Sequence, residues 1–279
     1  MKNIAFTGAG AIAEAIINGL ISDGVCLPGQ LIVTNHSNDE RLSFLKESYG
    51  VSVTRDKREA VKHADIIILA MKPKDVRSGI ESIREHVTDS HLIISVLAGI
   101  STETIQDLFG KKLSVIRAMP NTSAAIRKSA TALACTSEVS QAEMDAASEL
   151  FRAIGTVVHV SENQLDAVTG LSGSGPAYIY YLAEALEAAA ADNGIEAHTA
   201  KALIAQTFLG AAEMLLHSGK QPEVLRKEVT SPGGTTEAGI ARLEHYAVKK
   251  ALRECVKTAT ERSAEMGELF AKNAQKEHT

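Results

Sequence analysis

The opening of the chain limits its fold more than any other stretch. Ile4-Ala5-Phe6 is a short apolar run that ends in Gly8-Ala9-Gly10-Ala11-Ile12-Ala13, and an amphipathic pattern follows with Ile16, Ile17 and Leu20 on one face. GxGxxA set directly after a strand and at the start of a helix is the fingerprint of a dinucleotide-binding βαβ unit. In that unit Gly8 makes the tight turn, Gly10 lets a pyrophosphate approach the backbone, and Ala13 keeps helix and strand close. A glycine turn in some other α/β protein is the plain alternative, and the strand-turn-helix context favours the dinucleotide. Further strand candidates are Leu31–Thr34, Val51–Val53, Ile66–Ala70, Leu92–Val96 and Val115–Met119, with helical patterns between most of them. Continuous β-branched runs of this kind signal parallel strands covered on both faces. The prediction is a doubly wound α/β sheet.

The acidic residue that usually holds a ribose 2′-hydroxyl is missing. After the second strand the chain reads Asn35-His36-Ser37-Asn38, small polar groups and a His that suit a 2′-phosphate, so NADPH is favoured over NADH. Ser37-Asn38-Asp39-Glu40 and Ser140-Gln141-Ala142-Glu143 have capping-box spacing, which gives Ser37 a structural use of its own. Ligands of such sheets lie beyond the carboxyl ends of the strands. Three strand ends carry polar or conformationally special residues: Ala70-Met71-Lys72-Pro73, Leu97-Ala98-Gly99 and Met119-Pro120-Asn121-Thr122. Lys72 is placed to meet cofactor ribose or phosphate and Asn121 a nicotinamide carboxamide; each equally suits a loop without a ligand.

The second half reads as helical. A short strand at Val157-Val158 closes the first half, and Ser161-Glu162-Asn163-Gln164 offers another capping box. Thr169 to Pro176 breaks or kinks the helix that follows, which runs to about Asn193-Gly194. Tyr178 to Ala191 has little polar surface and reads as buried on most sides, which one domain of this size does not achieve alone, so a homodimer built on this helix is expected. Cys255 falls on an apolar stripe and reads as core packing. Phe270 to Thr279 is expected to fray. Late in this half, Thr230-Ser231-Pro232-Gly233-Gly234-Thr235-Thr236 stops one helix at Pro232 and starts another, with Thr235 or Thr236 as its cap. Free N–H groups and the positive dipole end make such a junction an anion site; an ordinary interhelical turn is the alternative.

Composition narrows the rest. The net charge is −5, aromatics make up 4% and there is no Trp, so neither polyanion attraction nor interleaved aromatic stacking on nucleic acid is expected. Cys26, Cys135 and Cys255 are scattered and odd in number, which fits a reducing compartment and no metal site. No apolar run is long enough to span a bilayer, and Met1 to Phe6 lacks a signal-peptide core, so a cytoplasmic protein without membrane partners is expected.

Taken together, Gly8–Ala13, Ala70–Pro73 with Met119–Thr122, Gly170–Tyr178 (GLSGSGPAY) and Val229–Glu237 (VTSPGGTTE) closely resemble the pyrroline-5-carboxylate reductases. The resemblance spans the chain in the family's order, and the last two blocks are specific to it. It implies an NAD(P)-binding Rossmann-like domain over residues 1–160 and a helical substrate and dimerisation domain over 161–279, with the site between them and often shared across subunits. It implies dimers, with higher assemblies of dimers in some members. Residues Gly8, Ala9, Gly10, Ala11, Ile12, Ala13, Asn35, His36, Ser37, Lys57, Ala70, Met71, Lys72, Pro73, Ala98, Gly99 and Asn121 would line the cofactor. Val229–Thr236 would be the substrate loop, with amides around Gly233, Gly234, Thr235 and Thr236 receiving the pyrroline carboxylate, Ser231 adding a hydroxyl and Thr236 close to the ring nitrogen as the catalytic-site residue. Glu162 matches a position near the substrate; its plain reading is a first-turn acid favoured by the helix dipole. The sequence departs from the family at His36, where many members carry Arg, at Lys57, where an Asn is common, and at Ile12, which replaces a Met. Three alternatives stay open: a related cyclic imine as substrate, a non-catalytic NADP-binding paralogue, and a β-hydroxyacid dehydrogenase. That last family carries a catalytic Lys after its glycines, whereas here no Lys occurs between Tyr178 and Lys201.

Overall fold

The structure is a computed structural model and describes residues 2–276. Its centre is an eight-stranded sheet in the order β3-β2-β1-β4-β5-β6-β7-β8. β1 (Ile4–Thr7), β2 (Leu31–Thr34), β3 (Ser52–Thr54), β4 (Ile66–Leu69), β5 (Leu92–Ser95) and β6 (Ser114–Met119) are parallel, in the doubly wound order. β7 (Ser129–Cys135) runs antiparallel to β6, and β8 (Gly155–His159) is parallel to β7. β7 is an addition to the strands expected from sequence. Its Ser-Ala-Thr-Ala-Leu-Ala-Cys is poor in the branched residues that mark a strand, and it is held extended by pairing with β6 and β8 on either side.

Side-chain alternation explains why the inner strands read as unbroken apolar runs. Ile4, Phe6, Ile66 and Ile68 enter one core cluster, while Ala5, Ile67 and Leu69 enter the other. Successive residues point to opposite faces, and both faces are dry. Helices α1 (Ala11–Ser22), α2 (Asp39–Tyr49), α3 (Lys57–Lys62), α4 (Val76–Glu81), α5 (Thr102–Phe109) and α6 (Gln141–Arg152) supply the covering layers. At the start of α6 the Ser140–Glu143 capping box forms as its spacing predicts. The box expected at Ser37 does not form. Asn38 is the cap of α2 and accepts from the Arg41 amide at 2.8 Å, since Asn offers the same oxygen one residue nearer the helix.

After β8, Ser161 and Gln164 close their predicted box around a 3₁₀ turn, followed by α7 (Leu165–Val168). The glycine-rich stretch Thr169–Gly173 is a π-helical turn, the distortion its small residues predict. Then come α8 (Gly175–Asp192), α9 (Ala197–His217), α10 (Pro222–Glu228), α11 (Thr235–His245) and α12 (Val248–Lys276). Where fraying was expected from Phe270, the helix continues to Lys276; residues 277–279 lie outside the described residues, as does Met1.

The chain divides into two compact units, and the division does not follow sequence order. One unit takes in the chain up to Ser174 together with the stretch from Thr258 onward; the other is Gly175–Lys257. The expected boundary at residues 160 and 161 instead lies inside the first unit, because Leu165 is buried beside Ala132 and Ala134 of β7. In the second unit, α8 has no buried residue in the single chain, and Tyr180 and Tyr181 are 61% and 73% exposed. It packs against α9, yet Ile179, Tyr180, Tyr181 and Leu186 stay exposed among the described residues of the single chain.

Candidate functional site

The carboxyl ends of β1, β2 and β4 surround a cavity of about 640 Å³, within the range of cofactor-binding clefts. Gly8, Ala9 and Gly10 form its floor. A Cβ on Gly8 would stand 2.3 Å from the Ala70 carbonyl oxygen, so only glycine lets the first and fourth strands' loops meet. A Cβ on Gly10 would meet nothing within 4 Å and would project into free space. Packing within the chain does not require Gly10 to be bare, and a pyrophosphate against the N-terminal amides of α1 would fit this cradle. Ala11 and Ile12 follow in the first turn of α1, and Ala13 is fully buried, as close helix-strand packing requires.

The other walls gather most of the remaining predicted residues. Asn35, His36 and Ser37 line the cavity after β2, Lys57 at the start of α3, and Ala70, Met71 and Lys72 after β4; Pro73 opens a 3₁₀ turn beside Lys72. Asn35 Oδ1 accepts from the amides of Ser37 and Asn38 at 3.1 and 3.2 Å, which fixes the turn that presents His36. Among the described residues Lys57 has no ion-pair partner. Its half-burial holds its ammonium pKa below the usual lysine value, only partly offset by the charge of Asp75. A desolvated cation facing an open cavity is suited to an anion.

Arg41 belongs to this site, although sequence reasoning did not single it out. Its Nε donates to the Ala9 carbonyl at 2.8 Å, and its guanidinium is paired with Glu14. Glu14 also accepts from the Tyr49 hydroxyl at 2.9 Å; burial and that hydrogen bond push the Tyr49 phenol up. Arg41 thus fastens the glycine loop from α2, with its charge spent on Glu14. Nothing in the local sequence shows this, because the contact crosses from one helix to the loop before another.

Ala98 and Gly99, after β5, line a separate cavity of about 180 Å³. Asn121, after β6, uses both ends of its amide internally: Oδ1 accepts from Ser123 N at 3.1 Å, and Nδ2 donates to Ser172 O at 3.0 Å. Glu162 turns inward too. Its Oε1 accepts from Arg117 Nη1 at 2.7 Å and from the Thr102 amide at 3.1 Å, while Oε2 is buried without a partner. The neighbouring Cys135 thiol is pushed up by burial and by the Glu162 charge.

The second unit holds the other candidate site, the loop between α10 and α11. Thr230 Oγ1 donates to the Arg226 carbonyl at 2.6 Å, Gly234 N to the Ser231 carbonyl at 3.0 Å, and Gly233 N to Glu237 Oε2 at 2.8 Å. The cap of α11 is Gly234, with no side-chain cap bond, in place of the expected Thr235 or Thr236; both threonines lie inside the helix. This changes which amides are available. Those of Gly233 and Gly234 are taken within the loop, and the first intrahelical donor is Ala238, to Gly234 O. The amides of Thr235 and Thr236 have no acceptor among the described residues, at a helix start that faces solvent in the single chain.

Comparison with known proteins covers the chain end to end. Residues 162–266 match the family described as pyrroline-5-carboxylate reductase dimerisation, and residues 3–99 match NADP oxidoreductase coenzyme F420-dependent. Pyrroline-5-carboxylate reductase 2 of Bacillus subtilis is 54% identical over 279 residues, covering 100% of both chains. Among solved structures, a pyrroline-5-carboxylate reductase from Coxiella burnetii superposes with a TM-score of 0.89 at 39% identity, covering 95% of this chain and 98% of that one. Plasmodium falciparum pyrroline carboxylate reductase, with NADP bound, gives 0.86 at 26% identity, covering 95% and 98%.

Proposed function

The chain belongs to the pyrroline-5-carboxylate reductase family, and from that premise we propose how its own residues reduce 1-pyrroline-5-carboxylate to L-proline, the last step of proline biosynthesis. The observation that carries the reading is the start of α11, where the amides of Thr235 and Thr236 are left open beside the Ser231 and Thr236 hydroxyls. Two adjacent free amides at a positive helix end take a carboxylate. Gly233 and Gly234 shape the loop and spend their own amides inside it.

NADPH, when bound, supplies the hydride. Gly8, Ala9 and Gly10 hold the pyrophosphate over α1, and Lys57 with His36 and Ser37 receives the ribose 2′-phosphate, which makes NADPH preferred over NADH. Lys72 lies on the opposite wall of the same cavity. A protonated imine is already electrophilic, so the protein's work is placement: Thr236 orients the ring nitrogen, and the loop amides fix the carboxylate so that C5 is presented in one pose. No strong general acid is required. Glu162 acts through Arg117 and α5, as a support for the strand ends.

The exposed apolar surface of α8 in the single chain supports pairing with a second copy, in keeping with the dimerisation family matched over residues 162–266. No helix among the described residues is long and apolar enough to cross a membrane; our assignment of the enzyme to the cytoplasm rests on the biosynthetic role of the family. The deciding experiment follows loss of reduced-cofactor absorbance with pyrroline-5-carboxylate, NADPH and NADH in parallel. Imine-dependent oxidation, faster with NADPH, is expected; NADPH binding without turnover on this imine would overturn the substrate assignment.

A further inference from the structure

Three anchors fasten the end of α12 within the strand-bearing unit. Ser263 is buried, and its hydroxyl donates to Asp166 Oδ1 at 2.6 Å. Phe270 packs against the cluster that contains Ile67, Leu69 and Ile93. Between them, Gly267 rests on the carbonyl of Gly99: a Cβ there would stand 2.4 Å from that oxygen. Gly99 needs its own bareness in return. Its φ is +74°, and a Cβ on it would come within 3.3 Å of Gly267 N and 3.4 Å of Ser263 O. Backbone meets backbone at this point, with no flexible side chain to absorb a change.

The place of the contact gives it meaning. The pyrophosphate cradle follows β1 and the phosphate-reading residues follow β2, so the adenosine half of the cofactor lies toward β2. β4 and β5 lie on the other side of β1, and a dinucleotide crossing the switch point carries its nicotinamide toward their ends. The first residues beyond β5 include the turn Ala98-Gly99, slung between buried Leu97 and Ile100. The far end of α12 is what it leans on.

We propose that Gly267 is a positioning residue for the reductase: through Gly99 it sets the height of the Ala98–Gly99 turn against which the nicotinamide lies. The proposal rests on the reading of Ala98 and Gly99 as cofactor contacts. A displacement of the turn by even one ångström moves the hydride donor off line, and that costs rate far more than it costs affinity.

The test uses the full-length enzyme. In Gly267→Ala, kcat is expected to fall tenfold or more while the KM for NADPH changes less than threefold. The primary isotope effect with NADPH deuterated at the transferred position should rise, because hydride transfer has become the slow step. Titration of NADPH fluorescence without substrate should show a weaker enhancement at a similar dissociation constant. Ser263→Ala, which loosens the same turn of helix without crowding it, is expected to move all readouts in the same direction by about threefold. A folded Gly267→Ala with unchanged kcat, isotope effect and fluorescence overturns the proposal; if that variant cannot be purified, the same silence in Ser263→Ala overturns it. Ala98→Leu separates the two layers of argument. Unaltered NADPH binding in Ala98→Leu removes the cofactor reading and the proposal with it, whereas weakened binding there beside a silent Gly267→Ala removes the proposal alone.

Discussion

Arg117 and Glu162 form an ion pair at 2.7 Å that joins β6 to the turn before α7, and the same carboxylate oxygen accepts the Thr102 amide at the start of α5. Arg117 is 7% exposed, so this carboxylate is the main compensation for its charge. Breaking such a pair from one side leaves a buried charge uncompensated, at about 3–5 kcal/mol. Glu162→Ala should lose about 3 kcal/mol, the lower end of that range because the Glu162 side chain keeps 32% exposure. Urea unfolding at fixed protein concentration measures it. Arg117→Met combined with Glu162→Ala should recover most of the loss, and a single variant within about 0.5 kcal/mol of the parent would refute the buried-charge account.

The two glycines of the first turn should fail differently. Gly8→Ala drives a Cβ into the Ala70 carbonyl and should reduce soluble, folded protein. Gly10→Val meets open space, so folding should be retained while NADPH affinity drops by about 100-fold or more, around 3 kcal/mol. Thermal melting and cofactor titration of the pair separate the effects; tight NADPH binding by Gly10→Val would place the pyrophosphate elsewhere.

Lys57→Met tests the phosphate reading. Removing one charge-assisted hydrogen bond should weaken NADPH by about 10- to 100-fold, or about 1.5–3 kcal/mol, and leave NADH nearly unchanged. The pH dependence has a defined sign. Burial lowers the Lys57 pKa, so its charge is lost at a lower pH than on a surface lysine, and the NADPH advantage should shrink as pH rises through that lowered value. Equal losses for both cofactors would show Lys57 to be structural.

Thr236→Ala should retain NADPH affinity within about twofold and lose at least about tenfold in kcat/KM for the imine, near 1.4 kcal/mol. Fluorescence titration and initial rates supply the two numbers. Unchanged turnover removes Thr236 from the site.

Ser140→Ala should destabilise the protein by about 1 kcal/mol through loss of its cap. Burial alone would raise the Glu143 carboxyl, yet the hydrogen bonds from the Ser140 hydroxyl and amide outweigh it and hold the group below the usual carboxylate range. A depressed folded pKa gives stability that is present above the unfolded carboxylate value and is lost as pH falls through the folded one. The stability gap between parent and variant should therefore be full at neutral pH and narrow in acid. A gap that stays constant down to the acid limit would show that the hydroxyl and not the carboxylate carries the cap.

What could be read from sequence followed the range of each interaction. The alternation at Ile66–Leu69, the glycine turn and the Ser140 box are set within a few residues, and they appear in the structure where spacing puts them. β7 escaped because its alanines are strand residues only by virtue of β6 and β8 on either side. The part played by Arg41 and the inward turn of Glu162 depend on partners 27 to 60 residues away, which no local pattern reports. The cap of α11 was misplaced by one or two residues for the opposite reason: Gly234 holds the N-cap position by backbone shape, and the hydroxyls that usually mark a cap lie one step inside.

The return of α12 to the first unit also governs the order in which this protein can be completed during synthesis. The strands, the glycine loop and the Ala98–Gly99 turn all leave the ribosome well before Ser263 and Gly267, which lie far downstream of them in the chain. Until they emerge, Gly99 presents an uncovered carbonyl and the cluster containing Ile67 lacks Phe270. A nascent chain stalled before Thr258 therefore holds a nearly finished sheet whose β5 rim has nothing to lean on.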